Sequence, residues 1–447
     1  MHRSEDEPAP TTGRRRHLRA TAITIALGVV MFTVGAVGFS PSGSSTPDTP
    51  ASAASAAGPA RGIEALRERV KRLPKDPTGW AGLGMALVQQ ARITADPAAY
   101  AQAEKALRRS LALEPVENLH AEIGMGALAA ARHQFRDALS WARKAVATSP
   151  ATPASYGVLA DAHTQLGQYK EAEEAVQKMA DLRPDSSSLA RASYTFELRG
   201  DTGQAKVLME RALRAAGTPG ERAFAHTHLS SLALDSGDPA TALRQAETGL
   251  AIAARDAGLL EARAKARAAT GDHEQAVADY TTAIATAPLP QYLLGLGELQ
   301  QALGHQDRAE AQYAVLRAQE TLRRATGAPA DVDAIYFEAD HGAPRQAVTM
   351  AEAAVQERPF LAVHDAYAWA LHRAGRNEEA LGHADEALAL GTRSALFLYH
   401  RGAIHQALGN GSAARRDLRQ ALALDPSFHP LHAPAAREAL RRIDDTP

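Results

Sequence analysis

The chain has 447 residues, 45% of them apolar but only 5% aromatic, and a formal net charge of −2. Near-neutrality excludes nucleic-acid or bilayer-surface binding driven by bulk charge, and the scarcity of aromatics points to close helix–helix contacts through alanine. With no cysteine, disulfides, thiol catalysis, cysteine-ligated zinc and a lipidated N-terminal cysteine are excluded.

Residues 1–19 form a basic tail carrying Arg14, Arg15, Arg16 and Arg19, followed by an uncharged stretch over 20–39. About twenty such residues span a hydrocarbon core of roughly 30 Å as a helix. The basic cluster precedes the stretch and no Lys or Arg follows until Arg61, so the positive-inside rule puts the tail in the cytoplasm and the rest of the chain outside it. The other reading is a secretory signal, cut at a small-residue site such as Val34-Gly35-Ala36 or Ala51-Ser52-Ala53. Residues 40–60 are small, polar and broken by proline, and read as a flexible linker.

From 61 to 447 the chain reads as all-α. A short helix over 62–73, with Ile63, Leu66, Val70 and Leu73 at helical spacing, ends at Pro74. A unit of about 34 residues then recurs. Its early small residue is Gly84, Gly126, Ala160, Ser193, Ser230, Ala264, Gly297, Ala368 or Gly402, with Ile335 the exception. A glycine that ends the first helix follows at 167, 200, 237, 271, 304, 342, 375 and 409. Five residues later comes an alanine (Ala172, Ala205, Ala242, Ala276, Ala309, Ala347, Ala380, Ala414). The early small residue and this alanine are expected to meet where the two helices cross, since a larger side chain there would overpack. Prolines 115, 150, 184, 288, 359 and 426 stop the second helix. Extra residues fall at 92–98, 214–220 and 317–327; the last, free of breakers over 318–322, is expected to lengthen a helix. Residues 433–443 supply a charged closing helix, as the end of a solenoid requires.

The period, together with Trp80-Ala81-Gly82-Leu83-Gly84 and the set Tyr156, Leu159, Ala160, Gly167, Tyr169, Ala172 and Pro184, resembles the tetratricopeptide repeat (TPR) family. The resemblance covers about 350 residues. It implies a right-handed superhelical solenoid of about ten helix–turn–helix repeats, whose first helices line a concave groove. Carried across, the family's groove offsets would display Tyr194, Phe224, Tyr336, Trp369 and Tyr399 with Asp161, Glu197, Asp235, Glu261, Glu298, Asp340 and Asp365. Against these acids stand Lys265 and Arg373, with His120 and His372. Two readings stay open: a peptide-binding groove with aromatic anchors and an acidic wall, suited to basic or mixed segments, or ordinary solvated helix faces. The lysine and asparagine set with which the family clamps acidic tails is missing from these offsets.

No catalytic constellation, cofactor loop or metal motif emerges. Gly124-Met125-Gly126 and Gly295-Leu296-Gly297 lie inside helices as repeat residues, and no Gly-x-Ser-x-Gly elbow is present. His226 and His228 point to different helix faces. His429 and His432 flank Pro430 and Leu431, while His163 and His405 take the repeat's tyrosine offset, so packing or hydrogen bonding accounts for them without a metal. The expectation is a non-enzymatic scaffold, tethered by a single membrane helix, that presents its groove to other proteins or peptides outside the cytoplasm and needs no nucleic acid or cofactor. The alternatives are a secreted or periplasmic binding protein released by signal cleavage, and an accessory factor of an envelope enzyme.

Overall fold

The computed structural model describes residues 59–94, 97–326 and 330–445. The membrane span and all but the last two residues of the linker read from the sequence lie outside them. Among the described residues, no helix is long and apolar enough to cross a membrane.

Every element among the described residues is helical. Helix α1 (Pro59–Arg72) opens the array, starting inside the stretch read as linker. Ten helix pairs follow. Units one to four are α2 (Pro77–Thr94) with α3 (Pro97–Leu113), α4 (Leu119–Ala131) with α5 (Phe135–Thr148), α6 (Pro153–Gln165) with α7 (Tyr169–Leu182), and α8 (Ser186–Leu198) with α9 (Thr202–Ala215). Units five to seven are α10 (Pro219–Leu234) with α11 (Pro239–Ile252), α12 (Ala257–Thr270) with α13 (His273–Thr286), and α14 (Pro290–Ala302) with α15 (Gln306–Thr326). Units eight to ten are α16 (Val332–His341) with α17 (Pro344–Glu357), α18 (Leu361–Arg373) with α19 (Asn377–Leu388), and α20 (Ala395–Ala407) with α21 (Gly411–Leu424). Helix α22 (His432–Asp444) closes the chain.

The crossing pairs are where the repeat places them. Ala160 and Ala172 are 0% and 3% exposed. Where the early residue is serine, its hydroxyl donates to the carbonyl of the facing alanine: Ser193 to Ala205 at 2.7 Å and Ser230 to Ala242 at 2.9 Å. A buried hydroxyl is thereby satisfied at the tightest point of the crossing. The insertions lengthen helices: α2 runs 18 residues and α15 runs 21, while α10, at 16 residues, starts on a capping box between Thr218 and Glu221. Seven of the eight expected turn glycines have positive φ. Gly342 does not, with φ −126; α16 ends instead with the Glu338 carboxylate accepting from the Ala343 N–H at 3.1 Å.

The solenoid winds back onto itself. The turns inside units three, four and five meet the chain at the ends of units eight, nine and ten. A Cβ on Gly167 would lie 2.7 Å from the Pro359 carbonyl oxygen, and one on Gly237 would lie 2.7 Å from that of Leu424; Gly200 abuts the Gly391 carbonyl in the same way. Hydrogen bonds repeat the register. The Leu361 N–H donates to the Tyr169 hydroxyl at 2.9 Å, 192 residues away, and the Thr392 hydroxyl donates to the Leu198 carbonyl, 194 residues away. Arg136 adds a bond of 2.7 Å to the Gln356 carbonyl. Left-handed glycine at these three turns lets backbone approach backbone across successive superhelical turns.

Candidate functional site

Tight winding changes the character of the concave face. First helices line it, as expected, but most of the side chains expected to stand in an open groove are enclosed. Trp369 is 2% exposed and Asp365 fully buried; Tyr194, Phe224, Tyr399, Glu261 and Glu298 are also buried. Tyr336, Asp161, Glu197 and Asp340 are half-buried, and Asp235 alone is exposed. The expectation of an open aromatic groove is therefore corrected: distant units close over it.

Tyr336, Trp369 and Tyr399 do come together, around a histidine the sequence reading had not singled out. Trp369 stacks on His400 at 4.1 Å between centroids, and Tyr399 and Tyr336 each lie 5.7 Å from a ring of the same cluster. Asp365 accepts from the Tyr336 hydroxyl at 2.6 Å and lies 2.7 Å from His400 Nδ1. Asp340 accepts from Trp369 Nε1 at 3.0 Å and faces Arg373 and His432 at 3.4 Å each. Tyr194, on α8, joins the same buried core from the facing superhelical turn, whereas Phe224, on α10, belongs to a separate one.

His429 and His432, expected to be packed or hydrogen-bonded, reach across the inside of the superhelix. His429 Nε2 is 3.0 Å from Glu298, which also meets His341 at 3.2 Å, and the two rings of His429 and His432 stack at 4.2 Å. Burial alone would lower His429; the Glu298 charge and hydrogen bond reverse this and raise it. Burial, then the charge on His429, push His432 down to about 4. Burial would raise Asp340, but hydrogen bonding and charge from His432, with Arg373, hold it low. The signal for this cluster was absent from the repeat pattern because its partners lie in units seven to ten and in the segment before α22. Among the described residues, no three histidines, aspartates or glutamates are placed to hold a metal ion.

Five of the seven expected groove acids are thus engaged by the protein itself. Asp161 takes Arg191 bidentately, at 2.8 and 2.6 Å; Glu261 takes Lys265 at 2.7 Å. Glu298, Asp340 and Asp365 belong to the clusters above. Glu197 and Asp235 differ, with no side-chain hydrogen bond or ion pair among the described residues. Burial and the charge on Asp235 push Glu197 up to about 8. Asp235 has a solvent-exposed side chain but stands within the crowded concave wall, and that enclosure raises its carboxyl to about 6, with Lys265 opposing and Asp425 adding to the rise.

A sequence model of the family described as Tetratricopeptide repeat matches residues 129–193, from the end of α4 into α8. The same hairpin recurs across the ten helix pairs, so the described residues form a solenoid of the tetratricopeptide-repeat kind. Solved structures similar to it include a tetratricopeptide repeat protein of Parabacteroides merdae, 20% identical, covering 58% of this chain and 99% of that one with a TM-score of 0.34. Pseudomonas aeruginosa pilF is 19% identical, covering 50% and 97% with a TM-score of 0.38. Yeast Tom70 is 13% identical, covering 86% and 93% with a TM-score of 0.38. At these identities and scores the likenesses carry nothing about function. No curated protein matches the chain.

Proposed function

We propose that this protein is a protein–protein interaction scaffold whose inner wall receives a basic side chain of a partner at Glu197 and Asp235. The observation that supports this is the state of those two carboxylates. Every other expected groove acid already has a donor or cation from the chain itself, while Glu197 has none and feels the charge of Asp235, which only Lys265 offsets. An arginine or lysine from a partner segment would satisfy both, and would select partners by charge. The buried aromatics then belong to the wall that holds the acids in place. We further propose that the scaffold is displayed outside the cytoplasm on a single-pass anchor formed by residues 20–39, supported by the basic cluster before that span and by the scarcity of charge after it.

The test is a set of matched peptides, basic, mixed and acidic, titrated against the full chain. Basic peptides are expected to bind at low salt, with Glu197→Gln and Asp235→Asn each weakening them about tenfold, a change of about 1.4 kcal/mol. Binding unaffected by both substitutions would remove this site. For the anchor, an enzymatic reporter that works only in the cytoplasm, fused after Pro447, is expected to be inactive; full activity would reverse the orientation.

A further inference from the structure

A cavity of about 190 Å³ opens in the inner wall between units one to three and units seven to nine. That is roughly six waters at about 30 Å³ each. Its apolar side includes Leu289, Val332 and Phe360, and its polar side includes Arg358, Arg92, Asp331, Asp333 and Gln165.

Arg358 is the group that the fold leaves unexplained. It follows α17, is 7% exposed, and donates a single hydrogen bond, from Nη2 to the Ala330 carbonyl at 3.2 Å. Its Nε has no partner, and it forms no ion pair among the described residues. A buried guanidinium ordinarily takes a carboxylate in its planar fork, because an unpaired charge away from water is strongly unfavourable. Asp331 and Asp333 line the same cavity and act on Arg358 through space without reaching it. Asp331 is committed to capping α16, its carboxylate accepting from the Ala334 N–H at 3.2 Å. Asp333 has no hydrogen bond or ion pair among the described residues. Burial first, then the like charges of Asp331 and Glu261, push its carboxyl up to about 7, against the opposing pull of Lys265. Gln165, 3% exposed, also lines the cavity and has its Oε1 unpartnered.

The cavity therefore holds an anion-seeking group and a cation-seeking group that form no ion pair with each other. A ligand carrying both charges would join them. We infer that the cavity binds a small α-amino acid, its carboxylate on Arg358, its ammonium on Asp333 and its side chain against Leu289, Val332 and Phe360. Small size follows from the volume, and zwitterionic character from the two unmatched charges. The site is independent of the basic-segment site at Glu197 and Asp235.

Calorimetric titration of the full chain with L-alanine, L-valine and L-leucine tests this, with acetate and ethylamine as probes of each charge alone. At least one amino acid is expected to bind saturably at one site per chain, with acetate and ethylamine at least tenfold weaker. Arg358→Lys and Asp333→Asn are each expected to weaken it at least tenfold with helical content unchanged. If none of the three amino acids binds wild type, the cavity holds only water and the inference falls, whatever the variants do. Acetate binding as tightly as the amino acids, or a folded Asp333→Asn that binds them unchanged, would overturn it equally.

Discussion

Trp369 packs face to face with His400 and donates to Asp340, with Tyr399 and His432 around it. At 2% exposure it is part of the interior, so Trp369→Ala should act on stability and not chiefly on binding. The loss should be about 3–5 kcal/mol, the usual range for removing a buried large aromatic. Chemical denaturation checks it, and a variant as stable as wild type would show that the ring is not packed as described. Glu197 makes a second prediction at this scale. Its carboxyl is pushed up to about 8 in the fold from about 4.3 when unfolded. A raised folded value means its contribution to stability is fully present below the unfolded value and is lost as pH rises through the folded one. Glu197→Gln should therefore gain thermal stability on wild type between pH 5 and pH 8 and show no advantage at pH 5. Parallel melting profiles across that range would mean that Glu197 is ordinarily hydrated.

The helix crossing is the unit of packing between elements. Ala172 is buried against its own first helix, whereas Glu171 beside it is exposed. Ala172→Leu should destabilise by about 1–3 kcal/mol through overpacking, and Glu171→Leu by far less; equal shifts in thermal unfolding would place the crossing elsewhere. The turns between helices separate local from long-range demands. Gly200 and Gly271 both have positive φ, at 74 and 86. A Cβ on Gly271 would meet nothing within 4 Å, whereas one on Gly200 would collide with the Gly391 backbone of the next superhelical turn. Gly271→Ala should cost about 1–2 kcal/mol from left-handed backbone alone. Gly200→Ala should cost more and also enlarge the radius of gyration by small-angle scattering, as the two turns part. A Gly200→Ala variant no larger than wild type would mean the contact is not needed to hold the winding.

At the scale of the whole molecule, acid and alkali strain different groups. Carboxyls raised in the inner wall, such as Asp333 to about 7 and Asp235 to about 6, favour folding at low pH. Buried histidines have the opposite sign. Burial pushes His228 down to about 4, so its stability is present above the unfolded value of about 6.5 and lost as pH falls toward 4. The His429–Glu298 pair, which ties the segment before α22 to unit seven, adds an alkaline limit as His429 loses its proton. Between about pH 4 and 7 the carboxyls and His228 oppose each other, so the melting temperature should change little there and fall on the alkaline side as His429 loses its proton; a steep acid-side fall over pH 4 to 7 would show that the histidines outweigh the carboxyls.

The sequence by itself determined the repeat. The spacing of small residues, turn glycines and alanines is local, since each crossing is made within one unit, and so the ten hairpins, the longer α15 and the burial of Ala160 and Ala172 could be read without coordinates. Which helices line the concave face was legible for the same reason. Whether that face is open was not. Its closure depends on the small rotation between successive units, accumulated over about 190 residues until Tyr169 meets Leu361 and Leu198 meets Thr392. No residue pattern within a unit encodes that sum. Glu298 with His429, and Arg358 facing Asp333, are products of the same accumulation: their chemistry exists only where distant turns of the superhelix are brought to one place.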